Sequence, residues 1–290
     1  MALELLRNNS PPVNGCLSRT LSCNISACNL VFVSANDNLF NMLFIKPQVL
    51  ALGTFTHETL SVSTGPSSRH INPAIEAKVE SLWQEKLTQT QASGQTCYNG
   101  YVYRLNSLTV DEHTLSLNFA EIEFRTFSCL ESLPEYYDLS EEYFCKNCHT
   151  SATVKTTDNR YLMIELSGKS LNHNTVDLLG GVLETRPIIS NGDDLFTSQY
   201  KEMKEEGCVQ ESDIAQSYLR MVYLGQRTSV GFYFEVILNI SSAEIVQQFK
   251  IQHNDPDVNV LLHLSREEYL SHLQNHKNAN KRLLANACML

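Results

Sequence analysis

The chain has 290 residues, 42% hydrophobic and 9% aromatic, enough for one large domain or two modest ones with a substantial core. Its 22 basic residues against 32 acidic give a net charge of −10, which excludes a bulk phosphate-backbone binder and predicts no nucleic-acid partner. No apolar run reaches the length of a bilayer span and no signal peptide opens the chain, so no membrane is expected; nine scattered cysteines then predict a reduced, cytoplasmic protein.

Residues 1–30, rich in Ser, Asn and Pro and without a period, read as a poorly ordered leader. The stretch "NLVFVSANDNLFNMLFI" (29–45) offers two short apolar runs that read as strands. "GPSSRH" (65–70) is a loop, and "NPAIEAKVESLWQEKLTQ" (72–89) is a helix that Asn72 can cap, with Pro73 in the first turn. Ile75, Val79 and Leu82 mark its apolar face, with Trp83 beside them. "YVYRL" (101–105) and "TLSLNFAEIEF" (114–124) read as strands, and the alternation of the second slips at Ala120, which predicts a bulge.

"ATVKTTDNRYLMIEL" (152–166) reads as a hairpin turning at Thr157-Asp158-Asn159, and "VDLLGG" (176–181) as a short buried strand ending in two glycines. After a long loop, Asn191-Gly192 signals a turn, and Asp193 or Asp194 can cap the helix that follows. Strands are expected in "LRMVYLG" (219–225), "GFYFEVILNI" (231–240) and "VNVLLHL" (258–264). Two capping boxes, Ser241 with Glu244 and Ser265 with Glu268, open the remaining helices. The alternation predicts an α/β fold, a mixed sheet flanked by helices. The expected division is the leader, an N-terminal flanking region of strands and one helix over 31–140, and a main domain over 141–290.

The helix after Asn191 carries the chemistry. Phe196, Tyr200 and Met203 form its apolar face, while Glu202, Glu205 and Glu206 crowd another at i, i+3 and i+4. Like charges at this spacing cost about 0.2–0.5 kcal/mol per pair, and the helix C-terminus disfavours anions further. Lys201 and Lys204 are not placed to relieve them in the favourable order. Either the glutamates are a solvated face, or they gather oxygen ligands around a hard cation such as Mg2+.

"KEMKEEGCV" (201–209), with Gly181 and Asp193 ahead of it, resembles the Nudix box, Gly-x5-Glu-x7-Arg-Glu-U-x-Glu-Glu-x-Gly-U with U aliphatic. The three glutamates keep the motif's spacing, as does the interval of nine from Asp193 to Glu202. Eleven residues rather than five follow Gly181, Lys201 replaces the arginine, and Cys208 replaces the late glycine. From about residue 41 onward the chain is similar to the branch that splits UDP-glucose and UDP-galactose, through "EAKVESLWQEKL", "YRLNSLTV", "VDLLGGVLE", "DDLFTSQYKEMKEE" and "GFYFEVIL".

The resemblance implies an α/β/α Nudix sandwich and an Mg2+ cofactor, with Mn2+ as a substitute. Glu202, Glu205, Glu206, the Gly180 carbonyl and the more distal Asp257 are the implied ligands. Glu205 or Glu206 is the implied base, with Asp193 at the first acid of the box. It implies a nucleotide-sugar substrate and hydrolysis to UMP and sugar 1-phosphate, or, were the box degenerate, a non-catalytic nucleotide-binding module. Cys145, Cys148 and His149 resemble only half of a zinc site, and no second cysteine pair lies at usable spacing.

Overall fold

The computed structural model describes residues 47–92, 98–112, 114–167, 175–226, 228–275 and 279–287. The leader and the apolar runs of 29–45 lie outside the described residues.

The architecture is mixed α/β. Seven strands build the large sheet: β1 (Gln48–Phe55), β5 (Cys148–Lys155), β6 (Tyr161–Leu166), β7 (Val176–Asp177), β8 (Ile214–Leu224), β9 (Val230–Leu238) and β10 (Val258–Leu264). Their order is β1-β8-β9-β5-β6-β10, with β7 also paired to β6. Only β5 and β9 run parallel; the other pairings are antiparallel. A smaller sheet, β2-β4-β3, comprises β2 (Leu60–Thr64), β3 (Tyr101–Val110) and β4 (Leu115–Glu123). β1 and β2 lie in a stretch from which the pattern predicts no strand. β1 is an edge strand with mixed exposure, so its alternation is weak.

Helices cover both faces of the large sheet. On one side α3 (Gly192–Gly207) and α4 (Ser242–Gln252) send Leu195, Phe196, Met203 and Ile245 into the main core with Phe232 and Phe234. Tyr103, Leu115 and Phe119 of the small sheet join the same core, as do Ala51 and Phe55 of β1. On the other side Tyr269 and Leu273 of α5 (Arg266–Gln274) and Leu284 of α6 (Ala279–Ala287) pack on Met163, Met221 and Tyr233. A third cluster joins α1 (Pro73–Ala92) to α2 (Phe124–Leu130) through Ile75, Val79, Trp83 and Leu130.

Local signals act as chemistry requires. Asn72 Oδ1 accepts from Ala74 N at 2.9 Å at the start of α1. Ser241 with Glu244 and Ser265 with Glu268 form reciprocal capping boxes on α4 and α5. The hairpin turns through Asn159, whose φ is +57°. Two details differ from expectation. The bulge lies in β3: pairing steps from Leu105–Phe119 to Ser107–Asn118, leaving Asn106 as the extra residue. "VDLLGG" is a ladder only at Val176–Asp177; beyond it the chain follows β5 by isolated bridges, Ala152–Leu179 and His149–Val182.

Candidate metal and pyrophosphate site

The site is built where residues 178–184 run between β5 and the inner flank of α3. Thr150 N donates to the Gly181 carbonyl at 2.8 Å and Ala152 N to the Leu179 carbonyl at 2.9 Å, which fastens this segment to β5. Gly180 has φ +155°, and a Cβ there would lie 2.2 Å from the Thr150 carbonyl oxygen, so only glycine fits. Gly181 faces the helix: a Cβ on it would stand 2.4 Å from Glu202 Oε2. At the helix end a Cβ on Gly207 would meet Leu179 at 2.3 Å. Three glycines thus let α3 and the turn meet without side chains between them.

α3 begins differently from expectation. Neither Asp193 nor Asp194 is the cap; Asn191 is, accepting from Asp194 N at 3.0 Å, while Asp194 reaches back to Asn191 N at 3.2 Å. Asn191 is the residue with extended backbone, and that geometry selects the cap. Asp193 is exposed and paired with His57 Nδ1 at 2.6 Å. Nine residues of helix separate it from Glu202, about 13.5 Å at 1.5 Å per residue, so it is not brought to the glutamates. The helix ends on Cys208 in the left-handed region, φ +55°, where the Nudix pattern has glycine.

Glu202 and Glu206 are half-buried and Glu205 is exposed. Glu206 Oε2 accepts from the Gly180 N–H at 2.8 Å, so Gly180 meets the helix through its amide. Burial, joined by repulsion from Glu205, Glu184 and Asp255, pushes the Glu202 carboxyl up to about 7 against the pull of Lys201. Burial pushes Glu206 up to about 9, with Glu202, Asp177 and Asp255 adding to the shift and the Gly180 N–H opposing it. Lys201, at the position of the box arginine, pairs with Glu184 at 3.1 Å. A slot of about 40 Å³ opens beside Glu202, lined by Thr150, Arg186, Ser198 and Lys201 among others.

Asp257 is exposed, with its backbone engaged: its N–H donates to Asp255 Oδ1 at 2.8 Å and its carbonyl accepts from Ser167 N. Asp255, two residues earlier, is the acid whose charge reaches both Glu202 and Glu206. Sequence reasoning missed it because an Asp-Pro-Asp triplet does not say which carboxylate a turn aims inward. It also missed Gln199, fully buried, whose amide donates to the Leu179 carbonyl at 3.2 Å and steadies the glycine turn. Its signal was present: a glutamine between Phe196 and Met203 on an otherwise apolar face.

Among the described residues no three His, Cys, Asp or Glu side chains are gathered closely enough to enclose a metal ion. The donor chemistry nevertheless fits Mg2+, which is ordinarily held by one or two carboxylates, with water and substrate phosphates completing its shell. Two desolvated, mutually repelling carboxylates at one turn of helix present that chemistry.

The cysteine pair is divided: Cys145 packs with the α1–α2 cluster and Cys148 in the main core, while His149 turns to the opposite face of β5 and meets Tyr223 Oη at 3.1 Å. Burial pushes the Cys145 thiol up to about 12. Cys145, Cys148 and Cys208 are free thiols. No described helix is long and apolar enough to cross a membrane.

No family profile matches the chain, and no curated protein matches it. Among solved structures it is similar to DR0079 from Deinococcus radiodurans, at 15% identity and TM-score 0.37 over 50% of this chain and 83% of that one. It is also similar to a MutT protein from Methanosarcina mazei Go1, at 13% identity and TM-score 0.33 over 49% and 93%. A third is the NUDIX domain of Shewanella oneidensis NrtR complexed with ADP ribose, at 12% identity and TM-score 0.32 over 53% and 94%.

Proposed function

We propose that this chain is an Mg2+-dependent pyrophosphate hydrolase of Nudix type, acting on a nucleoside diphosphate sugar. UDP-glucose or UDP-galactose would be split to UMP and sugar 1-phosphate. The observation that carries the reading is the seating of Glu202 and Glu206 against the Gly180–Gly181 turn, half-buried and without a basic partner close enough to keep them in the ordinary carboxylate range. A merely solvated face would not bury two of its three acids.

Glu202, Glu206 and Glu205 are the residues that would hold the metal, with Gly180 fixing the turn opposite them. A Mg2+ ion held there would supply neutralisation of pyrophosphate charge and a lowered pKa for an attacking water. The Gly180 N–H orients the Glu206 carboxyl, and Gln199 holds the turn that carries Gly180. A carboxylate not committed to the cation, Glu205 or Glu206, takes the proton of the water. Arg186 and Lys201, lining the slot beside Glu202, are placed to receive phosphate oxygens. Free thiols in the core suit a reducing, cytoplasmic setting.

A second reading, a nucleotide-binding module without catalysis, is favoured by the outward position of Glu205 and by Lys201 being engaged with Glu184. Release of UMP from UDP-glucose, dependent on Mg2+ and abolished by EDTA, supports the hydrolase; tight binding without turnover supports the module.

A further inference from the structure

A second, larger depression runs along the outer side of α3. It has a volume of about 730 Å³ and is walled by α3, the turn after it and the end of α4. Its lining includes Lys204, Glu205, Gln210, Gln252 and Asn254, with Tyr200 behind them. The size falls in the range of small-molecule sites.

Its relation to the glutamates follows from the helix. At about 100° per residue, Glu205 lies roughly 60° from Glu202 around α3, on the side toward Lys201 and Lys204. Glu205 therefore stands on the ridge between the two faces: Glu202 and Glu206 turn to the glycine turn, and Glu205 also lines the groove. Thr197 and Lys201 line both the slot beside Glu202 and this groove, so the groove adjoins the place where the pyrophosphate would lie.

Resting on the hydrolase reading, we infer that the groove takes the sugar 1-phosphate half of the substrate, with Lys204 and Gln252 as its specificity-determining contacts. The lining chemistry selects this half. Side-chain amides at Gln210, Gln252 and Asn254 can donate to and accept from sugar hydroxyls, and they are mostly exposed and free to reorient. Gln210 and Gln252 already meet each other, Nε2 to Oε1 at 3.3 Å, at one wall. Lys204 is exposed and has no ion-pair partner among the described residues, so its ammonium is available to a phosphate oxygen. Among the described residues the lining has no exposed aromatic face on which a base would stack; Tyr200 is half-buried and meets the Phe196 ring edge-on.

The test is equilibrium titration of the full chain in Mg2+ with glucose 1-phosphate and, separately, with UMP, for the parent, Lys204→Ala and Gln252→Ala. Both side chains are exposed, so Tm should be unchanged. Each variant should bind glucose 1-phosphate about tenfold more weakly, the size of one good hydrogen bond to a charged or polar group, and bind UMP as the parent does. Weakened UMP with unchanged glucose 1-phosphate would place the nucleoside in the groove and overturn the assignment. Unchanged affinity for both, or a parent that does not bind glucose 1-phosphate, would overturn it equally. A parent that binds glucose 1-phosphate yet releases no UMP from UDP-glucose contradicts the hydrolase reading and leaves the groove assignment standing.

Discussion

The amide of Gly180 donates to Glu206 Oε2 at 2.8 Å, joining the turn after β7 to the last full turn of α3 across 26 residues. The contact exists because Gly180 sits at φ +155° with the Thr150 carbonyl where a side chain would be. Gly180→Ala should therefore destabilise the fold by about 1–3 kcal/mol and remove Mg2+-dependent activity beyond what stability explains. Urea unfolding beside the UMP assay measures both; an alanine variant with parent stability would show that the turn is not constrained as described.

The buried glutamates give the metal-free protein an unusual pH response. Glu202 and Glu206 lie at about 7 and about 9 in the fold, against 4.5 when free. The native state then holds protons that the unfolded chain releases, so this contribution is fully present below about 4.5 and is lost as pH rises through about 7 and then about 9. Urea midpoints in EDTA should fall over that window, and saturating Mg2+ should flatten the fall. A midpoint rising with pH would contradict the burial of these acids.

Asp158 carries the opposite sign. From the β5–β6 turn it accepts from Ser242 N at 2.8 Å and from Ser242 Oγ and Thr156 Oγ1 at 2.6 Å, and these bonds hold its carboxyl far below the ordinary aspartate range. Its contribution is present above about 3.8 and is lost as pH falls below that value. Asp158→Ala should cost roughly 1 kcal/mol at neutral pH and less near pH 3, read from paired unfolding curves. Equal losses at both pH values would remove the charge from the explanation.

The sequence displayed α3 and its acids because a 3.6-residue period places i, i+3 and i+4 together whatever surrounds them, and the capping boxes at Ser241 and Ser265 are equally local. What it did not display depends on distant partners. β2 pairs parallel with β4 across more than fifty residues, Leu60 beside Leu115, a register that no local pattern encodes. β1 is an edge strand of mixed exposure, so its alternation is faint. Which glutamates are desolvated is set by how closely Gly180 and Gly181 let β5 approach α3, and the choice of Asp255 over Asp257 is set by the turn around Pro256.

Cys145, Cys148 and Cys208 are free thiols, buried in the fold. A reducing agent should leave Tm unchanged, whereas loss of a structural disulfide typically costs 2–5 kcal/mol. A drop in Tm of several degrees on reduction would show a bridge elsewhere in the chain that holds the fold.

Whether the α3 glutamates hold Mg2+ is decided by melting curves of the parent and of Glu202→Gln with Glu206→Gln, each in EDTA and in millimolar Mg2+. Glutamine keeps shape and helix propensity while removing two half-buried acids, so in EDTA at pH 8 the variant should melt at or above the parent. In Mg2+ the order should reverse, because binding stabilises only the parent, by about 2.7 kcal/mol at a hundredfold excess over Kd. Parallel shifts of the two proteins on adding Mg2+ would contradict the metal site.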